Sequence, residues 1–111
     1  MDNRISILRA KVEPLLRPYA RRISVFGSYA RGESTSQSDV DLLVALKPSE
    51  KRPPLGLFEV IRLEKELEKK LGREVDLVTE EGLSPRIRSN VEKDRVVLYE
   101  EVNGWGNEQG Y

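Results

Sequence analysis

The chain has 111 residues, 38% of them hydrophobic and 34% charged, a balance that suits one small folded domain and argues against wholesale disorder. It holds no cysteine and no histidine, which excludes disulfides, thiol nucleophiles, zinc–thiolate sites, serine–histidine triads and imidazole metal ligands. Basic and acidic residues both number 19, so the net charge is zero and a broad basic face for nucleic acid is not expected.

In chain order, the N-terminus lacks the basic-then-apolar layout of a signal peptide, and no apolar run is long enough to cross a bilayer, so the expected location is the cytoplasm. Ile5, Leu8, Val12, Leu15 and Leu16 recur at helical spacing. Pro14 interrupts that pattern, so the helix either ends near Val12 or gives way there to a second short one. Residues 1–31 hold seven basic and two acidic residues, and the remainder twelve and seventeen, which reads as a solvated, mixed-charge surface. The β-branched and aromatic run Arg22-Ile-Ser-Val-Phe26 predicts a strand ending at Gly27. A Gly- and Ser-rich stretch follows, long enough for a helical turn and a loop, and then Asp39-Val-Asp-Leu-Leu-Val-Ala-Leu46 predicts a second strand.

Residues 48–56 read as a loop. Leu57, Val60, Ile61, Leu63, Leu67 and Leu71 form an apolar stripe opposite a charged face, predicting a helix over 57–71 that stops at Gly72. Glu74-Val-Asp-Leu-Val78 predicts a third strand. Ser84-Pro85 reads as an N-cap followed by proline at the first helical position, opening a helix to about Lys93. Val96-Val-Leu-Tyr99 predicts a fourth strand, and residues 101–111, with Trp105 and Tyr111, a flexible tail. The expectation is one domain over residues 1–100, α/β (α+β) in class, with about four strands and three or four helices.

The chemistry concentrates around two strand ends. Asp39 and Asp41 stand at i and i+2 of a strand, so their carboxylates share a face while Val40 and Leu42 point into the core. Two anions so placed repel each other, and a hard cation such as magnesium relieves the repulsion. Upstream, Gly27-Ser28 ends one strand and opens a helical turn, where a glycine permits close backbone approach and the hydroxyl and amides suit a phosphate. Asp76 lies on the polar face of its strand and joins the acidic pair only if that strand lies beside the D-x-D strand. There it would ligate metal and accept a proton from an attacking hydroxyl. Arg31 suits a phosphate or carboxylate contact, and equally a surface salt bridge. Ser38 is expected to steady the turn into Asp39.

Gly27-Ser-Tyr-Ala-Arg-Gly-Glu-Ser-Thr-Ser-Gln-Ser-Asp-Val-Asp-Leu-Leu-Val44, with the later Glu74-Val-Asp-Leu-Val78, resembles the polymerase β-type nucleotidyltransferases and most of all the minimal nucleotidyltransferase (MNT) domains. The resemblance extends from about Ile23 to Glu100 through Leu83-Ser-Pro-Arg-Ile87 and Arg95-Val-Val-Leu-Tyr99. It implies the nucleotidyltransferase fold, a small mixed sheet flanked by helices. It implies that Asp39 and Asp41 ligate two Mg2+ ions, that Asp76 binds the catalytic one, and that Gly27, Ser28 and Arg31 hold the triphosphate of ATP. It further implies a partner of the helical HEPN type, a ribonuclease toxin that an MNT antitoxin of type VII-like systems modifies by adding AMP to a tyrosine. Transfer to a small molecule of the aminoglycoside kind, or neutralisation by binding alone, are the alternatives. So small a domain leaves little to enclose a base and an acceptor, so a partner or a second copy is expected to complete the site.

Overall fold

The computed structural model describes residues 3–33 and 38–101. The elements run α1 (Asn3–Leu16), β1 (Ala20–Phe26), α2 (Gly27–Arg31), β2 (Val40–Leu46), α3 (Leu57–Leu71), β3 (Val75–Thr79), α4 (Pro85–Asp94) and β4 (Val96–Glu100), with short 3-10 turns at Ser49–Lys51 and Glu80–Gly82. The four strands form one mixed sheet in the order β3-β2-β1-β4. β1 is antiparallel to both β2 and β4, whereas β2 and β3 are parallel. A parallel pair needs a crossover, and α3 supplies it.

Burial divides the sheet into two unlike faces. Ile23 and Val25 of β1 and Val40, Leu42 and Val44 of β2 pack against Leu8, Val12 and Leu16 of α1 and Leu63 and Leu67 of α3 in the main core. The alternate residues Ser24, Leu43 and Ala45 are also buried, on the face that receives Val91 of α4. Residues of one strand alternate between faces, so Phe26, Asp41 and Asp76 belong to this second face.

α1 settles the question raised by Pro14: the helix continues through it to Leu16. The proline withdraws a hydrogen bond from the carbonyl of Ala10, an exposed residue. α3 spans the expected residues, but the apolar stripe is only partly covered. Leu63 and Leu67 are buried, while Leu57 and Ile61 are exposed with Phe58, because the first turn carries its apolar residues away from the face that meets α1 and the sheet. α4 begins as expected, with the Ser84 hydroxyl accepting from the Ile87 amide and Pro85 opening the helix. No helix among the described residues is long and apolar enough to cross a membrane. Of the expected tail 101–111, Glu101 is described and its amide donates to the Arg21 carbonyl at 2.8 Å, while the rest, with Trp105 and Tyr111, lies outside the described residues.

β3 is an edge strand held from both sides. Its residues pair with β2, and on the free side the amides of Val75 and Leu77 donate to the carboxylates of Glu68 (3.2 Å) and Glu64 (2.9 Å) of α3. The helix that delivers the strand thus also satisfies edge amides that would otherwise invite another chain.

A cluster of ions closes the lower part of the second face. The Glu80 carboxylate accepts from Arg22 of β1 at 2.8 and 3.1 Å and from Arg95 at 3.0 Å, and the Glu80 carbonyl accepts from Arg88 of α4 at 2.8 Å. With its side chain only 11% exposed, Glu80 ties β1, the 3-10 turn, α4 and the start of β4 to one point. Burial by itself would push this carboxyl up, but the hydrogen bonds from Arg22 and the charges of Arg22, Arg95 and Arg21 outweigh it and hold it below the usual range. Glu80→Gln is therefore expected to destabilise the fold by about 2–3 kcal/mol, measured by chemical denaturation at neutral pH. Because the folded-state carboxyl is depressed, its contribution is present above the unfolded carboxyl's titration and is lost as pH falls through the folded one. The gap between wild type and Glu80→Gln should narrow on acidification across that window.

Candidate functional site

β1 ends where α2 begins, and a left-handed glycine makes the turn between them. Gly27 has φ of 74°, a conformation that side chains disfavour, and a Cβ built on it would collide with the Oδ2 of Asp41. The backbone and the carboxylate therefore press against each other, as the pairing of Phe26 with Asp41 requires. α2 is only five residues long and no side chain caps its first amides. It ends at Gly32, with the Glu33 amide donating to the Ser28 carbonyl at 2.9 Å.

The parallel register of β2 and β3 sets Asp41 directly beside Asp76. Asp39 precedes β2 by one residue and, two positions before Asp41, falls on the same face. The sequence-predicted acidic residues are thus brought to one face, with Gly27 against Asp41. Burial raises the Asp41 carboxyl above its ordinary value, the neighbouring charges of Asp76 and Asp39 raise it further, and Arg31 opposes them. Asp41 thus lies in the field of two neighbouring carboxylates, a condition that a hard cation relieves.

Among the described residues no three acidic side chains already converge as a ready-made cage. Asp39 and Asp76 are both exposed, so their carboxylates are free to turn toward Asp41. An all-carboxylate donor set with room for water and phosphate oxygens fits magnesium.

Arg31 lies at the end of α2 and makes the surface salt bridges that one of its two sequence-based readings expected. It donates from Nε to Glu33 and from Nη1 to Asp94 of α4, each at 2.9 Å, and it is near enough to Asp41 to favour that residue's ionised form. Tyr29, for which the sequence offered no role, is buried between two guanidinium groups. Arg4 lies 4.5 Å and Arg73 5.3 Å from its ring centroid, and Arg4 also donates to the Tyr29 carbonyl. Arg73 reaches in addition the carbonyl of Ser38, at 3.5 Å, immediately before Asp39. This stack joins α1, α2 and the entry to β2. Arg4, Tyr29, Arg73, Glu80 and Asp94 were all missed in the sequence, because contacts such as Arg4–Tyr29, Arg22–Glu80 and Arg31–Asp94 join residues 25 to 63 apart and no periodicity relates them.

Residues 5–98 match the family model of the nucleotidyltransferase domain. A relative from Thermococcus cleftensis named protein adenylyltransferase MntA is 42% identical over 94 residues, spanning 84% of this chain and 90% of its own length. Among solved structures, one described as a candidate minimal nucleotidyltransferase superposes with a TM-score of 0.64 at 43% identity, covering 86% of this chain and 95% of that one. A toxin–antitoxin crystal structure with AMP-PNP superposes with a TM-score of 0.70 at 27% identity, covering 83% and 73%.

Two outcomes follow from the contact between Gly27 and Asp41. Gly27→Ala should lose about 1–2 kcal/mol of stability to its left-handed backbone alone and should weaken binding of divalent cation by displacing Asp41, both readable by melting with and without Mg2+. Asp41→Asn should raise thermal stability at neutral pH in metal-free buffer. A carboxyl raised in the folded state contributes stability below its unfolded value and loses it as pH rises through the folded one, so the advantage of Asn should disappear in acid.

Proposed function

Because the chain belongs to the nucleotidyltransferase domain family, we propose that it transfers AMP from ATP to a hydroxyl of a protein partner, acting in the cytoplasm as the antitoxin of a HEPN-type ribonuclease toxin. The observation that carries the chemistry is the register that sets Asp76 beside Asp41, against Gly27, at one end of the sheet. Support for a protein acceptor comes from the MntA relative's name, and support for a toxin partner from the superposition on the AMP-PNP-bound toxin–antitoxin structure. The transferase unit is residues 1–100, with 101–111 as a tail.

Asp39, Asp41 and Asp76 would hold magnesium, two ions in all. Bound there, magnesium supplies neutralising charge to the triphosphate and acidifies the acceptor hydroxyl. The chain's own residues do the rest. Gly27 lets the backbone approach the phosphates closely, and the Ser28 hydroxyl and the uncapped amides of α2 donate to them. Arg31 adds a guanidinium to the phosphate oxygens. Asp76, on the exposed side of the acidic group, accepts the proton as the acceptor oxygen bonds to the α-phosphorus. The bond from that phosphorus to the bridging oxygen breaks, and pyrophosphate departs with its electron pair. No covalent enzyme intermediate is needed, so position and charge compensation carry the catalysis.

The site lies open, with Asp39 and Asp76 exposed on the sheet face, so a partner surface or a second copy of the chain encloses the acceptor. The test is co-purification with the product of the neighbouring gene, followed by incubation with Mg2+ and labelled ATP and mass spectrometry of both chains. Label on a tyrosine of the partner, lost in Asp39→Ala and Asp41→Ala by a factor of about 100 or more, is the expected result. Neutralisation of the partner by those variants without any transfer would overturn it in favour of a binding antitoxin. Labelled small molecule with an unmodified partner would overturn the protein acceptor.

A further inference from the structure

Arg31 is the cation closest in sequence to the Gly27-Ser28 turn, yet its direction is set from another element. Its side chain is 42% exposed and would be expected to sample many rotamers. Instead Asp94, at the last position of α4 and 63 residues away, accepts from Nη1 at 2.9 Å, while Glu33 accepts from Nε. These two contacts use two of the five N–H bonds of the guanidinium, so three donors remain for another anion.

The place of Asp94 is itself fixed. The next residue, Arg95, is anchored on the Glu80 carboxylate at 3.0 Å, and Arg88, earlier in α4, donates to the Glu80 carbonyl. Glu80 is held in turn by Arg22 of the central strand β1. The half-exposed pair of Arg31 and Asp94 is therefore the outer end of a chain of ion pairs that starts in a nearly buried one. An ordinary surface pair has no such backing. Exposed pairs contribute little to stability, so a pair supported this way has its value elsewhere.

We propose that Asp94 is a positioning residue for nucleotide binding: it fixes Arg31, three residues after Ser28 on the same short helix, with donors to spare, so that the triphosphate meets a guanidinium already in place. This rests on the transferase reading and adds α4 to the nucleotide site. A long cationic side chain that is ordered before the ligand arrives loses less freedom on binding, which tightens the complex without touching the chemical step.

The test measures binding of Mg2+-ATP and the KM and kcat of transfer in the full chain with its partner, for wild type, Asp94→Asn, Arg31→Ala and the double variant. Asp94→Asn is expected to raise Kd and KM for ATP by about 3- to 10-fold, from the freedom returned to one long side chain, with kcat unchanged. Arg31→Ala should raise them at least as much. The double variant should be no worse than Arg31→Ala alone, since Asp94 acts through Arg31. Arg62→Ala, which breaks the exposed pair with Glu66 on α3, should change nothing. Asp94→Asn that binds ATP as tightly as wild type, or more tightly, overturns the proposal, as do effects of Arg31 and Asp94 that multiply independently. Wild-type protein that binds no nucleotide overturns the transferase reading, and this proposal with it.

Discussion

The parallel pairing of β2 with β3 forces Asp41 and Asp76 to lie side by side, and much else in the molecule answers to that one act of crowding like charges. Neighbouring carboxylates on adjacent strands disfavour each other, and burial of Asp41 adds to the cost. The pairing survives because it is made elsewhere. Val75 pairs with Val40, Leu77 with Leu42 and Val78 with Leu43, so apolar neighbours flank the acidic pair on both sides. α3 then secures the free edge of β3 with Glu64 and Glu68 and buries Leu63 and Leu67 against the core. The site is a local conflict held in place by a surrounding consensus, the usual relation between a reactive centre and its scaffold.

The second face of the sheet is organised by charge rather than by a deep apolar layer. At one end stand the three aspartates, with Asp41 raised by burial and by the charges of the other two. Farther along the strands, Arg22, Glu80 and Arg95 form a nearly buried cluster in which each carboxylate oxygen has a guanidinium partner. The contrast is one of satisfaction. Where opposite charges meet they tie four elements together, and where like charges crowd the face suits an external cation. Ser24 lies buried on this face, its hydroxyl without a partner, a small unmet cost in the central strand.

α2 is too short to be stable by its own hydrogen bonds. Its placement comes from the Tyr29 ring between Arg4 and Arg73, which draws the turn onto α1 and links it to the carbonyl of Ser38. The same side chains thus hold both the Gly-Ser turn and the approach to Asp39. Arg31 at the other end of α2 is restrained by α4. The five residues of α2 are in this way clamped from both sides by residues distant in the chain.

The local order of the chain was legible without coordinates. The four strands, the helix over 57–71, the Ser84-Pro85 start of α4 and the shared face of Asp39 and Asp41 all follow from periods of two and 3.6 and from the chemistry of proline, serine and glycine at element ends. Gly27-Ser28 and the D-x-D strand also marked the family, because their spacing is fixed by one continuous segment. Whether Asp76 stood beside Asp41 depended on which strand paired with which, and in which register, across a 15-residue helix. The apolar pattern of α3 likewise showed a stripe but not how far the neighbouring elements would cover it. The partners of Arg31, Tyr29 and Glu80 were invisible for the same reason: a side chain records its own backbone period, while its neighbours in space are chosen by the packing of the whole sheet.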